Sequence, residues 1–188
     1  MARILHREAA ALIGPAEQAM KWFRAIGKDA GKHNEPLQWT TPSGLLVQQK
    51  YMAAKVKRIR MHYLSDVQMD IKINVDDDVE LDTKRMANAL SPNVLHSMDA
   101  SHMAMATLHA KDHGVTNVAG VHDCFVTTPA EMEQLRDSVR AAFAALYSES
   151  WLDSLSNQLA RRRGAELPCP VTGQLDLSQV KSSDYFIT

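Results

Sequence analysis

The chain has 188 residues, enough for one ordinary domain with its own core. Hydrophobic residues make up 45% and charged residues 23%, the balance of a soluble globular protein, and no apolar run is long enough to span a bilayer. The formal net charge of −1 lacks the basic excess of a free-standing nucleic-acid binder. Two cysteines, Cys124 and Cys169, make no disulfide framework and no four-ligand zinc site, and they fit a reducing compartment. The first seven residues lack the apolar stretch of a signal peptide.

Ala9, Ile13, Ala16, Met20, Phe23 and Gly27 recur at spacings of three and four, flanked by Leu12, Ala19 and Ile26. That periodicity predicts an amphipathic helix over 7–32, with Gly14-Pro15 breaking or kinking its first turns. A hairpin follows over 37–51, with Thr41-Pro42-Ser43-Gly44 as its turn. Two strands, 55–62 and 68–75, join near Leu64-Ser65-Asp66. Lys50, Lys55, Lys57, Arg58 and Arg60 cluster here; a phosphate track and a solvated surface fit them equally. Asp76-Asp77-Asp78 reads as a solvated loop leading to a helix N-terminus, where the helix dipole favours acids. Residues 81–88 are expected to be helical. A second helix is expected from 92 or 93 to about 113, ending at Gly114. Between 118 and 128, two short β-prone runs flank His122-Asp123, the pattern of a tight hairpin with an acid at its apex. Pro129 suits the first position of a helix running to 147. Another helix covers 150–163 and is stopped by Gly164; Arg161-Arg162-Arg163 at its end complement the dipole. Residues 167–170 are irregular, and 175–180 lead into a short closing helix. There is no internal repeat and no low-complexity tract.

Two stretches carry candidate chemistry. The second in chain order is Gly120-Val121-His122-Asp123-Cys124-Phe125-Val126-Thr127. A carboxylate fixed between two strands is held rigidly, which metal-assisted phosphoryl chemistry needs; an exposed turn acid is the alternative. The first in chain order is Ser91-Pro92-Asn93-Val94-Leu95-His96-Ser97-Met98-Asp99-Ala100-Ser101-His102. Its His96, Asp99 and His102 are three apart and neighbour one another across adjacent helical turns, a weak metal signal on its own. Together the two stretches resemble the C-terminal part of the single-subunit, phage-type RNA polymerases, a family that includes the mitochondrial enzymes. Those carry a P-N-F-V-H-S-x-D-x-S-H segment and, after a helix, a strand ending in H-D-[SC]-[FY]. The resemblance extends upstream to Trp39-Thr40-Thr41-Pro42-Ser43-Gly44-Leu45, similar to a W-x-T-P-x-G-x hairpin. Downstream it reaches the acidic-aromatic end, Ser183-Asp184-Tyr185-Phe186.

The resemblance implies an α+β fold: the C-terminal part of a right-hand polymerase, with helices around a small antiparallel sheet and a catalytic β-hairpin. Residues 1–101 would be the remainder of the fingers, and 102–188 the C-terminal half of the palm with a terminal foot whose aromatic end packs near the active site. It implies templated, two-metal nucleotidyl transfer from NTPs to an RNA 3′ end. Asp123 would be one of the two palm carboxylates that hold Mg²⁺, two ions in the complete enzyme. His122 would lie beside the metal near the primer end; a packing histidine is the other reading. His102 would approach the minor groove at the new base pair, where the acceptors common to all pairs are presented, and Asp99 would buttress that segment by hydrogen bonding. Cys124, where phage enzymes often have Ser, needs only to be small and half-buried and has no base to make it a nucleophile. Val126 stands where phage enzymes commonly have Gly. His109 and His113 read as surface residues rather than a zinc pair.

The implied partners are a DNA template, an RNA product, NTPs and the missing N-terminal part of the polymerase, in cis or as a second chain, with no membrane. The implied compartment is the cytoplasm of a phage-infected or bacterial cell, with the mitochondrion as the alternative. The family's first palm carboxylate motif and its K/R-x-x-x-M-x-x-x-Y-G fingers helix are absent from this sequence, so the chain alone is expected not to polymerise. Three rivals stand beside this reading. One is a split-polymerase subunit, and another a catalytically dead nucleic-acid-binding remnant. The third is the palm of a family-A DNA polymerase, which usually follows His-Asp with Glu where this chain has Cys124.

Overall fold

A computed structural model describes residues 14–53, 55–61, 67–73, 80–121, 124–163 and 169–185. Helix α1 (Gly14–Lys32) buries Phe23, Ile26, Gly27, Ala30 and Gly31, one stripe at helical spacing. Residues 7–13 of the expected helix lie outside the described residues. The helix ends in a Schellman turn: the Glu35 amide donates to the Ala30 carbonyl (3.0 Å) and the Asn34 amide to that of Gly31 (3.4 Å). Asn34 takes the left-handed conformation this needs, with φ of 55°. Its side-chain oxygen also accepts from the Leu81 amide at 2.8 Å, tying the end of α1 to the approach of the next long helix.

Strands β1 (Leu37–Thr40) and β2 (Leu46–Gln49) form the expected hairpin, with Trp39 opposite Val47. Its turn depends on Gly44, whose φ is 84°. Strands β3 (Lys55–Met61) and β4 (Val67–Ile73) pair antiparallel, Lys55 opposite Ile73 and Met61 opposite Val67. Their connection at 62–66 and the Asp76-Asp77-Asp78 run lie outside the described residues. Instead of one small sheet, the described strands make three separate two-stranded ribbons, the third being β5 (Ala119–Val121) with β6 (Cys124–Val126).

The two helices expected over 81–88 and 92–113 are a single helix of 30 residues, α2 (Thr83–Asp112). Asp82, which the sequence reading passed over, caps it by accepting from the Lys84 (3.0 Å) and Arg85 (2.9 Å) amides. Pro92 lies inside the helix, where a proline removes one hydrogen bond and costs about 3 kcal/mol. Met86, Leu90, Val94 and Met98, on successive turns either side of it, are each 2% exposed or less. Burying one such side chain contributes about 1.5–3 kcal/mol, so the four together outweigh the proline and the helix runs through. At its far end Gly114, with φ of 87°, closes a second Schellman turn: the Val115 amide donates to the Ala110 carbonyl at 3.0 Å.

A 3-10 turn (Pro129–Glu131) leads into α3 (Met132–Ser148); α4 (Trp151–Arg163) and α5 (Ser178–Ser182) complete the fold. Helix α2 serves two cores. Its first half packs with Phe23 and Ile26 of α1, Leu37 and Trp39 of β1, and Leu155 and Leu159 of α4. Its second half, through Ala106 and Ala110, packs on Val115 and on Leu135, Val139 and Ala142 of α3. No helix among the described residues is long and apolar enough to cross a membrane.

Helices α1 and α2 touch backbone to backbone. A Cβ built on Gly27 would lie 2.4 Å from the Met86 carbonyl oxygen, and one on Gly31 would lie 2.6 Å from the Thr83 Cα. Alanine's helix preference over glycine is worth about 1 kcal/mol, whereas overpacking costs about 1–3 kcal/mol and here the obstacle is backbone. Gly27→Ala is therefore expected to lower stability by about 1–2 kcal/mol, read as a lower urea midpoint; an unchanged midpoint would show that the helices separate without penalty.

Candidate active site

The two motif stretches are fastened to one another through α2. Trp39 is 3% exposed, and its indole N–H donates to Ser97 Oγ at 3.1 Å. Ser97 in turn donates to the Val94 carbonyl (2.7 Å). One turn on, Ser101 donates to the Ser97 carbonyl (2.9 Å) and accepts from Ser43 in the hairpin turn (2.9 Å). One turn back, Asn93 donates to the buried Gln49 side chain (2.9 Å) and to the Tyr51 hydroxyl (3.1 Å), while Gln49 donates to the Met86 carbonyl (2.9 Å). Asn93, Ser97 and Ser101 thus make a polar stripe, one residue per turn, that zips onto the β1–β2 hairpin.

Downstream of α2 stands the second motif. Val121 pairs with Cys124, Gly120 with Phe125 and Ala119 with Val126, so the expected tight hairpin is present with a two-residue connection. Those two residues, His122 and Asp123, lie outside the described residues. By strand alternation Gly120 and Phe125 share one face, and it lies on α2: a Cβ on Gly120 would sit 2.8 Å from Met103 Cε. Ala119, Val121, Cys124 and Val126 share the other face and are exposed. Cys124 is therefore exposed rather than half-buried, because no described element covers that face of the ribbon.

His102, the last residue of the first motif, is where the two stretches meet. Its Nε2 lies 2.9 Å from the Val139 carbonyl of α3, which can only accept, so Nε2 carries the proton. The ring packs edge-on against Phe125 of β6 (centroids 6.3 Å) and Phe143 of α3 (5.6 Å). Asp99 is exposed, and the hydrogen-bonded buttress expected of it is supplied by Ser97 and Ser101. Burial and, secondarily, the Asp99 charge hold the Tyr147 phenol above its ordinary pKa. His96 is exposed. The His109 and His113 rings stack at 4.0 Å and 8°. Burial first and then the neighbouring His113 keep the His109 pKa below its usual value. Among the described residues no three His, Cys, Asp or Glu side chains gather as a metal cage.

The open end of the hairpin is closed by an acid that the sequence reading missed. Glu131 Oε1 accepts from the Thr116 amide (3.1 Å) and hydroxyl (2.8 Å), and Oε2 lies 3.1 Å from the hydroxyls of both Thr127 and Thr128. These bonds, those from Thr116 foremost, pull its pKa down to about 2. The available signal was Thr128-x-x-Glu131, the spacing of a helix capping box. At the other end of the chain, the short α5 docks on α3 with Val180 buried and the Lys181 carbonyl 3.3 Å from Arg140 Nη1. Tyr185 of the expected aromatic foot is 91% exposed. Phe186 lies outside the described residues.

A family model described as DNA-dependent RNA polymerase matches residues 2–167. The chain belongs to the phage-type, single-subunit RNA polymerase family. It is 26% identical to the DNA-directed RNA polymerase of Enterobacteria phage T3 over 98% of its own length and 23% of the relative's. It is 33% identical to the chloroplastic DNA-directed RNA polymerase 3 of Nicotiana sylvestris, over 93% of this chain and 17% of that one. With the chloroplastic/mitochondrial polymerase 2 of Arabidopsis thaliana the identity is 35%, over 91% of this chain and 16% of that one. The chain thus spans less than a quarter of the length of these relatives.

Two consequences can be measured. Ser97→Ala leaves the buried Trp39 N–H without its acceptor, and the expected loss is about 1–3 kcal/mol of unfolding free energy in urea; Ser97→Thr, which keeps the hydroxyl, serves as the control. The lowered Glu131 pKa means that its anchoring of the hairpin is complete above about pH 4.5, the group's ordinary value, and is lost as pH falls through about 2. The Thr116 amide resonance is expected to titrate with that low midpoint. A midpoint near 4.5 would show that the carboxylate is solvated instead.

Proposed function

We propose that this chain is the C-terminal part of a DNA-dependent RNA polymerase and that it carries one half of the catalytic centre. The reaction is templated nucleotidyl transfer: the RNA 3′-hydroxyl oxygen bonds to the α-phosphorus of an incoming NTP, pyrophosphate leaves, and the hydroxyl proton passes to a base or solvent. The observation that carries the proposal is the junction at His102. The ring that ends the first motif packs on Phe125 of the hairpin that delivers the second.

The residues take the roles the resemblance implies. Asp123 holds catalytic Mg²⁺, and a second carboxylate comes from the part of the polymerase that precedes this segment in its relatives. A hard carboxylate suits Mg²⁺, which takes one or two such ligands and completes its shell with water and phosphate. The Glu131 carboxylate, already engaged by three threonines, is not the second ligand. When bound, the metal neutralises the triphosphate and activates the 3′-hydroxyl. His122 supports Asp123 beside the primer end, and His102 faces the nascent base pair. Residues 1–101 are assigned to the fingers and 102–188 to the palm; the passage of α2 from one core to the other between Val94 and Ala106 supports a division there. The partners are DNA template, RNA product and NTPs, in the cytoplasm of a phage-infected or bacterial cell.

With a primed template, NTPs and Mg²⁺, the purified chain is expected to incorporate nothing. In a complete polymerase carrying it, Asp123→Asn is expected to reduce incorporation by more than the roughly 10–100-fold that follows loss of a supporting residue around a metal. Incorporation by the chain alone, or an Asp123→Asn polymerase of normal rate, would overturn the assignment.

A further inference from the structure

The third ribbon is a poor platform for a group that must be held rigidly. Each of its strands is three residues long, one face is uncovered by any described element, and an isolated two-stranded hairpin is marginal in water. On its inner face Phe125 and Gly120 rest on His102 and Met103. That contact seats the centre of the hairpin on α2, while the flanking residues Thr116 and Thr127 are held by other bonds.

Glu131 stands at the open end of the ribbon. Thr116 precedes β5 and Thr127 follows β6, and the same carboxylate takes a bond from each side, one oxygen per side. The surrounding groups reinforce it. Asn117 Nδ2 donates to Thr116 Oγ1 (2.9 Å), leaving the Thr116 proton for Glu131. Thr127 Oγ1 also lies 2.6 Å from the Asn117 carbonyl, so its single proton serves either acceptor across the same gap. The 3-10 turn bearing Glu131 is continuous with α3, whose Leu135 and Val139 sit in the second core. The carboxylate therefore ties both strand ends to the rigid part of the fold, through bonds strengthened by its charge.

We propose that Glu131 is a positioning residue for the ribbon that carries His122-Asp123: it fixes the register and splay of β5 and β6, the two strands that flank Asp123. This rests on the assignment of Asp123 to the metal. Glu131 touches neither metal nor substrate and acts only through the two strands. Charge, not bulk, is what the geometry asks of it. Glutamine keeps the shape but replaces one accepting oxygen with a donor.

The test uses the whole 188-residue chain and two readouts. The first is amide hydrogen exchange in β5 and β6, compared with α2 around Ala106 and Ala110. The second is paramagnetic broadening of the hairpin resonances on titration with Mn²⁺, which detects weak binding; Asp123→Asn removes it if that residue is the ligand. Glu131→Gln is expected to speed exchange in the ribbon several-fold, leave α2 protected, and shift the Mn²⁺ titration to higher concentration. Thr116→Ser, which retains amide and hydroxyl, is expected to behave as the unsubstituted chain in both. Ribbon exchange and Mn²⁺ response both unchanged in Glu131→Gln would overturn the proposal, as would loosening of α2 together with the ribbon, which would make Glu131 a general stabiliser. The metal role of Asp123 is decided separately, by Asp123→Asn in a complete polymerase, and the exchange comparison by itself decides whether Glu131 holds the ribbon.

Discussion

The buried indole N–H of Trp39 is costly to leave unpaired, and the rotation of α2 that places Ser97 against it supplies the acceptor. Trp39 sits in the first core with its N–H on Ser97, and leaving that donor unmet would cost about 1–3 kcal/mol. The apolar stripe Met86–Leu90–Val94–Met98 would tolerate a small turn of the helix about its axis. The polar stripe beside it would not, because Asn93, Ser97 and Ser101 each have a partner in or beside the β1–β2 hairpin. Hydrophobic burial thus supplies most of the energy that holds α2, and hydrogen bonding specifies its rotation. Everything at the far end inherits that setting, since Met103 and His102 follow the last of these serines and carry the β5–β6 ribbon.

The length of α2 gives this arrangement its reach. Had the helix broken at Pro92, the zipped section and the section under the ribbon would belong to one segment and the Asp82 cap to another. As one rod it transmits the α1 contact at Gly27 and Gly31 to a ribbon beyond His102. The close approach at those glycines and the ends at Asn34 and Gly114 serve one purpose: they let two rods meet tightly and stop sharply.

The sequence made local features readable and left relations between distant residues hidden. The hairpin at 118–128 was legible because two β-prone runs leave only two residues between them. The stop at Gly114 was legible because a left-handed residue after a helix is a local rule. Pro92 misled for the same reason. Its penalty is local, but what outweighs it is tertiary burial on either side. The buttress was placed on Asp99, whose charge stands out in the motif, whereas two serines provide it; a serine's partner shows only once Trp39 and Ser43 are known to lie opposite. Glu131 was invisible for a like cause, since Thr116 and Thr127 are separated by the whole ribbon. As for the chemistry, the order of motifs told more than the composition, whose net charge of −1 gave no sign of a nucleic-acid enzyme.

His102 joins these levels and places a condition on its own proposed role. A minor-groove contact that reads the acceptors common to every base pair needs a donor. The Nε2–H is already taken by Val139. To offer it to a base pair, the side chain must release Val139 and swing outward, giving up its edge-on contact with Phe125. That motion would disturb the ribbon at the moment a base pair forms, since Phe125 lies across from Gly120 at its centre. A contact to the nascent pair and the seating of the ribbon therefore draw on one side chain, and the role proposed for His102 couples the two.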